Sequence, residues 1–505
     1  MKTQHAVPDG DRKVNRQSNT NNNQHINKPI SKRSKVMNAV KFFRAGLLAL
    51  LTLVFGIESM YSQGVLKNGG VFRNTGNSTF KEIQNYKGTS NGTIVNSGTL
   101  STTTAAGGSG KFRNTDGSAR AGTVRNYIGG IGNGTAVVAD SLFTNFTGAT
   151  FDNDSSAGLS TLRIAGGLLT TGGTFDTDSG RVWYNGGTQT IVATTYGVLV
   201  TDNSGTKTLA DSIVVRDSLR IDNGSTLAVS TFRMNLLGAT NVAQNTGTLS
   251  AGSGTVRYAG DLNQSIIPTQ YKVLTLTGST GARTKTSAGG LSFASSGQLT
   301  VDTNDTLFVS SGNLDLSTNS PTLINSSAIK LAGDATFHGG ISNAGNFYYA
   351  GTSAQAIGGT TYANLRLGGS GGKNFPSTTV AVTGNYSIDA GTGTRNYSTG
   401  TFQFAGTSTQ TISGLSETFY ILQFAGSGAK NLSGTSMGAA RLDILGTSGV
   451  VTNDVTTVTL TNVSNISLTI ASGRELVNNA GKTITMNGDL ENDGIITNAG
   501  TISVN

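Results

Sequence analysis

The chain has 505 residues, of which 70 are glycine, 5 proline and none cysteine, and only 12% are charged. Without cysteine there are no disulfides, thiolate metal sites or cysteine nucleophiles, and the shortage of long Ala-, Leu-, Glu- and Lys-rich windows excludes a helical protein. The net charge of +9 comes mostly from the first 63 residues, with ten Lys/Arg against three acids; the rest holds 26 basic and 24 acidic residues. So neutral a body has no electrostatic footprint for nucleic acid.

Residues 1–63 read as a leader. Lys41 and Arg44 precede a 13-residue apolar run, 45–57 (AGLLALLTLVFGI), and a polar exit. That is the build of a secretory signal peptide, and the run is too short to span a bilayer. Met37 opens a compact signal, so we expect translation to begin there; the alternative is a retained, disordered extension. Cleavage is expected near Ser62 or Gln63. The mature chain is then exported, secreted or held at the cell surface in association with the outer membrane, with no membrane span of its own.

Residues 64–180 repeat a short phrase, Asn-x-Gly-x-apolar, as in Asn68-Gly69-Gly70-Val71-Phe72 and Asn96-Ser97-Gly98-Thr99-Leu100. Two echoing phrases, Phe151-Asp152-Asn153-Asp154 and Phe175-Asp176-Thr177-Asp178, set acids at alternate positions. Oxygens so placed suit calcium, which makes Asp152, Asp154, Asp176 and Asp178 candidate ligands. The set lacks a distal bidentate glutamate, and Asp and Asn also cap turns without metal. Calcium aside, no cofactor is expected.

Residues 181–450 hold four longer modules. Each has an aromatic, a glutamine, a second aromatic with leucine three residues on, and a basic residue: Tyr184/Gln189/Tyr196/Leu199/Lys207, Tyr258/Gln264/Tyr271/Leu274/Arg283, Tyr349/Gln355/Tyr362/Leu365/Lys373 and Phe404/Gln410/Phe419/Leu422/Lys430. Apolar and polar residues alternate through them, as strands require. Packing of Tyr196, Tyr271 and Tyr362 at equivalent strand starts is favoured over sugar stacking.

Residues 451–505 return to short units. Ile484, Leu490, Ile496 and Ile502 recur every six residues, and an even period keeps all four on one face. Asn492 and Asn498 are expected to stack on successive coils as an amide ladder. The pattern continues to the last residue, predicting an uncapped final coil: either a truncated reading frame or an open end that meets a partner, including a second copy end to end.

Repetition at this scale predicts an all-β fold, a parallel β-helix or β-solenoid following the signal segment. Tandem β-sandwich modules are the alternative, although the 55 residues between Tyr349 and Phe404 are few for a sandwich. The wording of the third and fourth modules, Phe347-Tyr348-Tyr349-Ala350-Gly351 with Tyr362-Ala363-Asn364-Leu365-Arg366-Leu367, then Phe402-Gln403-Phe404-Ala405-Gly406, resembles repeats in adhesin-like exported surface proteins of Bacteroidetes and related bacteria. The resemblance implies a β-helical protein at or outside the outer membrane, without a defined activity.

Catalysis finds little support. His338 stands alone near Asp334, so neither a nucleophilic triad nor a paired-carboxylate cleft can be assembled around it. Gly368-Gly369-Ser370-Gly371-Gly372-Lys373 lacks nucleotide-loop spacing and reads as a turn. The expectation is a structural or adhesive protein presenting extended faces for many weak contacts to an unidentified glycan or protein. A β-helical polysaccharide lyase or hydrolase is the alternative.

Overall fold

Short runs in which Leu, Val, Ile, Phe or Tyr alternate with Thr, Ser, Asn or a charged residue can bury one face only against another such run. A computed structural model describes residues 60–505: chiefly the strands between 60 and 173, then everything beyond except 239–240, 279–280, 318–320, 338–341 and 447–448. The basic flank and apolar run of the expected leader lie outside the described residues, as do His338 and Asp154. No helix occurs among the described residues, so none crosses a membrane as one.

The ladders between described strands are parallel, and each coil contributes three short strands. Residues 218–222, 226–228 and 233–236 pair with 241–245, 248–250 and 255–258 of the next coil. Antiparallel contacts among the described residues are isolated bridges, Asp222 with Thr246 and Val463 with Ile466. About 15 such coils stack into a β-solenoid.

Alternation converts directly into an interior. In Asp305–Val309, Leu307 and Val309 are fully buried while Thr306 and Phe308 face outward. Matching positions on later coils, Ile329, Phe347 and Leu365, stack above Leu307, and one continuous hydrophobic cluster runs from Ile83 to Met486. A shared spine of this kind replaces the separate cores that sandwich modules would need. The strands Thr174–Tyr184 and Val450–Leu460 lie at the borders between the expected zones, and the ladders run through both.

The last zone corrects one expectation. Leu490, Ile496 and Ile502 occupy the three sides of a single coil, where they pair with Leu468, Leu476 and Ile484 of the coil before. Six residues are therefore one side with its corner, and the rung-to-rung step from Ile484 to Ile502 is three times as long. Asn492 consequently pairs with Ile470 and not with Asn498. Asn498 does join an amide ladder, with Asn478 and Asn453 in place of Asn492: Asn453 Nδ2 donates to Asn478 Oδ1 at 2.9 Å, and Asn478 Nδ2 to Asn498 Oδ1 at 2.8 Å. On the final rung Leu490 and Ile495 are 37% and 59% exposed.

Candidate functional site

The repeated module builds one corner of the stack, four times over. Gln189 is buried with both ends of its amide engaged: Oε1 accepts from Gly186 N at 2.8 Å, and Nε2 donates to Ile164 O at 2.9 Å and to Gly166 O. Gln264 repeats this with Gly260 N, Leu236 O and Gly238 O. Gln355 does so with Gly351 N, Leu331 O and Gly333 O, and Gln410 with Gly406 N, Val382 O and Gly384 O. Each glutamine thus ties its own corner to the corner of the preceding coil. A carboxamide suits the task because it offers an acceptor and two donors without a charge to desolvate. The partner must be glycine, since a Cβ at Gly186, Gly260, Gly351 or Gly406 would strike the carbonyl oxygen of Ala165, Leu237, Ala332 or Thr383.

A lysine of the following coil sits in register with each glutamine: Lys207 on Gln189, Lys285 on Gln264, Lys373 on Gln355 and Lys430 on Gln410. All four lysines are fully buried. Lys207 Nζ donates to Gly186 O at 2.7 Å, Lys285 Nζ to Gly260 O at 2.6 Å, Lys373 Nζ to Gly351 O at 3.3 Å and Lys430 Nζ to Gly406 O at 3.0 Å. The same glycine therefore gives its N–H to glutamine and its carbonyl to lysine. Burial pushes all four ammonium pKa values down, for Lys285 and Lys430 to about 8. Arg283, expected as the basic residue of the second module, does not occupy this place. It is an internal ion-pair partner, with Nε 3.1 Å from Asp305 and Nη1 3.2 Å from Asp261.

The paired aromatics are interior, as their position in the repeat predicts. Tyr184 and Tyr196 bring their hydroxyls to 3.1 Å; Tyr196 donates to Val192 O at 2.6 Å and Val192 N donates to Tyr184 at 3.4 Å. Tyr258 with Tyr271 clasps both backbone groups of Ile267, and Tyr349 with Tyr362 those of Gly358. Burial raises these phenols, to about 12 for Tyr184 and Tyr258. Fully buried, they have no exposed face to stack on sugars. Phe404 and Phe419 fill the fourth copy without hydroxyls, and a separate pair, Tyr386 and Tyr397 at 2.8 Å, stands nearby. Tyr397 donates to Glu417 at 3.1 Å, and Arg395 Nε lies 3.0 Å from both carboxylate oxygens.

What faces outward is arranged in rows. Phe308, Lys330, Tyr348, Arg366 and Ser387 lie in register on five successive coils. Alongside run Thr306, Ala328, Asn346 and Asn364, continued by Asn385, and the two rows border a groove of about 410 Å³. Lys330 Nζ lies 4.8 Å from the Phe308 ring centre and 5.5 Å from that of Tyr348, whose ring Arg366 approaches to 4.6 Å. Asp389 accepts from Tyr348 at 2.7 Å and from Arg366 Nε at 2.8 Å. A second set contains the one tryptophan, Trp183, with Arg163 over its ring at 5.1 Å and Asp202 accepting from its indole at 3.2 Å.

The calcium candidates are spread over neighbouring coils: Asp152 is in register with Asp176, which is exposed, and Asp178 lies further along the same strand as Asp176. Among the described residues no three acids or histidines converge as a metal site. Gly369, at positive φ within the glycine-rich segment, marks the turn expected there.

No family model, curated protein or solved structure matches the chain.

Proposed function

We propose that the chain is an exported structural or adhesive protein of the cell surface, in which the solenoid is a rigid stalk and its outward rows are the binding surface. The observation that carries this reading is the five-coil groove, whose side chains are aligned by the same register that builds the core. Regular stacking repeats weak contacts at a fixed step, and their sum along an extended ligand exceeds any single contact. Supporting export are the basic flank and apolar run ahead of residue 58 and the resemblance of the modules to adhesin-like surface repeats. Asp389, which holds the Tyr348 and Arg366 side chains of the groove, is engaged with both, which favours binding over catalysis.

The test is binding of the full chain to arrayed glycans and extracellular matrix proteins, run beside a polysaccharide degradation screen. Retention without product formation is expected. Turnover of any polysaccharide would replace this reading with an enzyme, and failure to retain any glycan or protein would remove the adhesive role.

A further inference from the structure

Resting on that adhesive reading, we infer that the groove between the Lys330–Tyr348–Arg366 row and the Asn346–Asn364–Asn385 row takes an anionic polysaccharide whose carboxylates meet Lys330 and Arg366. The argument begins with the cations. Lys330 has no carboxylate partner among the described residues; aromatic rings on the coils below and above hold its ammonium in place. An ammonium positioned by rings still has N–H donors to offer an incoming anion.

Arg366 is prepared differently. Its side chain is 56% exposed, and Asp389 is bonded through Nε. The two terminal amino groups are left to grip a carboxylate in the forked geometry that guanidinium favours. Asp389 also takes the Tyr348 hydroxyl. It therefore fixes both the ring and the guanidinium while its own charge is spent locally.

Spacing then selects the ligand class. Adjacent rungs are about 4.8 Å apart, so Lys330 and Arg366, two rungs apart, are separated by roughly 9.6 Å along the axis. An extended two-fold chain of uronic acids whose sugars each advance by about one rung returns every second carboxylate to the same side at that interval. The asparagine row suits the hydroxyl-bearing edge of such a chain. Asn364 Oδ1 already accepts from Asn385 N at 2.7 Å, which turns its NH₂ donors away from that bond. Because both faces of the Tyr348 ring are covered by cations, neutral sugars gain no stacking platform there.

The experiment measures retention of the full chain on immobilised polygalacturonate and on a neutral glucan at low and at physiological salt. Alongside the native chain run Lys330→Gln with Arg366→Gln, and Arg233→Gln as an exposed control on a distant coil. Expected is retention on polygalacturonate alone, weakened by salt, reduced about tenfold or more by the double substitution and unchanged by the control. Equal loss in the control, or no loss in the double variant, overturns the groove assignment. Retention on the neutral glucan alone overturns the anionic ligand while leaving the adhesive reading intact. No retention on polygalacturonate together with no binding on the wider array removes both. Circular dichroism of the double variant, expected to match the native chain, separates loss of binding from loss of fold.

Discussion

Lys285 Nζ lies 2.6 Å from Gln264 Oε1, and both side chains are buried at one corner between adjacent coils. The contact joins the two halves of a device found at four heights of the stack. The glutamine reaches back to the preceding coil and the lysine reaches back to the glutamine's corner, so three consecutive turns are bonded without a disulfide. Buried backbone groups at a turn must find partners, and a corner has no ladder to supply them. The repeat therefore keeps polar side chains in its interior at the places where the strands stop.

Removing a glutamine tests this directly. Gln355→Leu leaves Gly351 N and Gly333 O without the side chain that engages them, while Leu331 O keeps its bond from Ala350 N. Unsatisfied buried groups cost about 1–3 kcal/mol each, offset in part by added apolar contact. We expect a net loss of about 2 kcal/mol or more, read as a lower denaturation midpoint. An unchanged midpoint would mean that the corner bonds contribute nothing to stability.

Alkaline titration probes the same corners. For Lys285 and Lys430 the folded pKa of about 8 lies below the unfolded value of about 10.4, so between these the unfolded chain binds more protons and stability rises with pH; Lys207 and Lys373 are shifted in the same direction. The clasped tyrosines act in reverse. Their folded pKa is raised to about 12 in Tyr184 and Tyr258, so their contribution is complete below about 10 and is lost as pH climbs further. The melting temperature at constant ionic strength should therefore climb from neutrality to a maximum at about pH 9–10 and fall beyond it. A steady decline from neutral pH would contradict the lysine part, and ionisation of every tyrosine near its ordinary pKa the tyrosine part.

The sequence carried the architecture well, because alternation and repetition are the physical causes of a parallel stack with one spine. Burial of Tyr196, Tyr271 and Tyr362 was also legible, since equivalent positions in a repeat meet equivalent surroundings. Register was harder to read. Arg283 follows Gly281 at the same spacing as Lys373 follows Gly371, yet a longer corner brings Lys285 to Gln264. Likewise a six-residue interval satisfies strand alternation whether it runs around a coil or up the stack, so spacing alone does not distinguish Asn492 from Asn478 as the partner of Asn498. The outward ladder left a signal that the module pattern obscured: Lys330, Tyr348 and Arg366 recur at the spacing that separates Gln355 from Lys373.

Tyrosine pairs should behave as units. Tyr362→Phe removes the donor to Gly358 O, and Tyr349→Phe the acceptor for Gly358 N; either change also breaks the hydroxyl–hydroxyl contact of 2.9 Å. Because that contact is lost in both single variants, the double variant should lose about 1 kcal/mol less than the sum of the two. A double-mutant cycle in urea measures the coupling. Strict additivity would show that the hydroxyls act independently, as a phenylalanine pair in the fourth module would also allow.

The amide ladder makes a prediction about where the stack opens. Asn478 is fully buried, accepts from Asn453 and donates to Asn498 Oδ1, and its Nδ2 also lies 3.2 Å from Thr501 O. In a solenoid each coil contacts only its neighbours, so a defect at one coil need not spread. Asn478→Ala should therefore increase amide hydrogen exchange across the strands Glu475–Asn478, Ile495–Asn498 and Thr501–Val504. Protection at the corners of Gln189, Gln264 and Gln355 should stay as in the native chain. The distinction matters for function, because the Lys330–Arg366 groove lies several coils away and its ligand affinity should survive the substitution. Uniform loss of protection along the whole chain would mean that the coils unfold as one cooperative block and that nearest-neighbour stacking does not govern its stability.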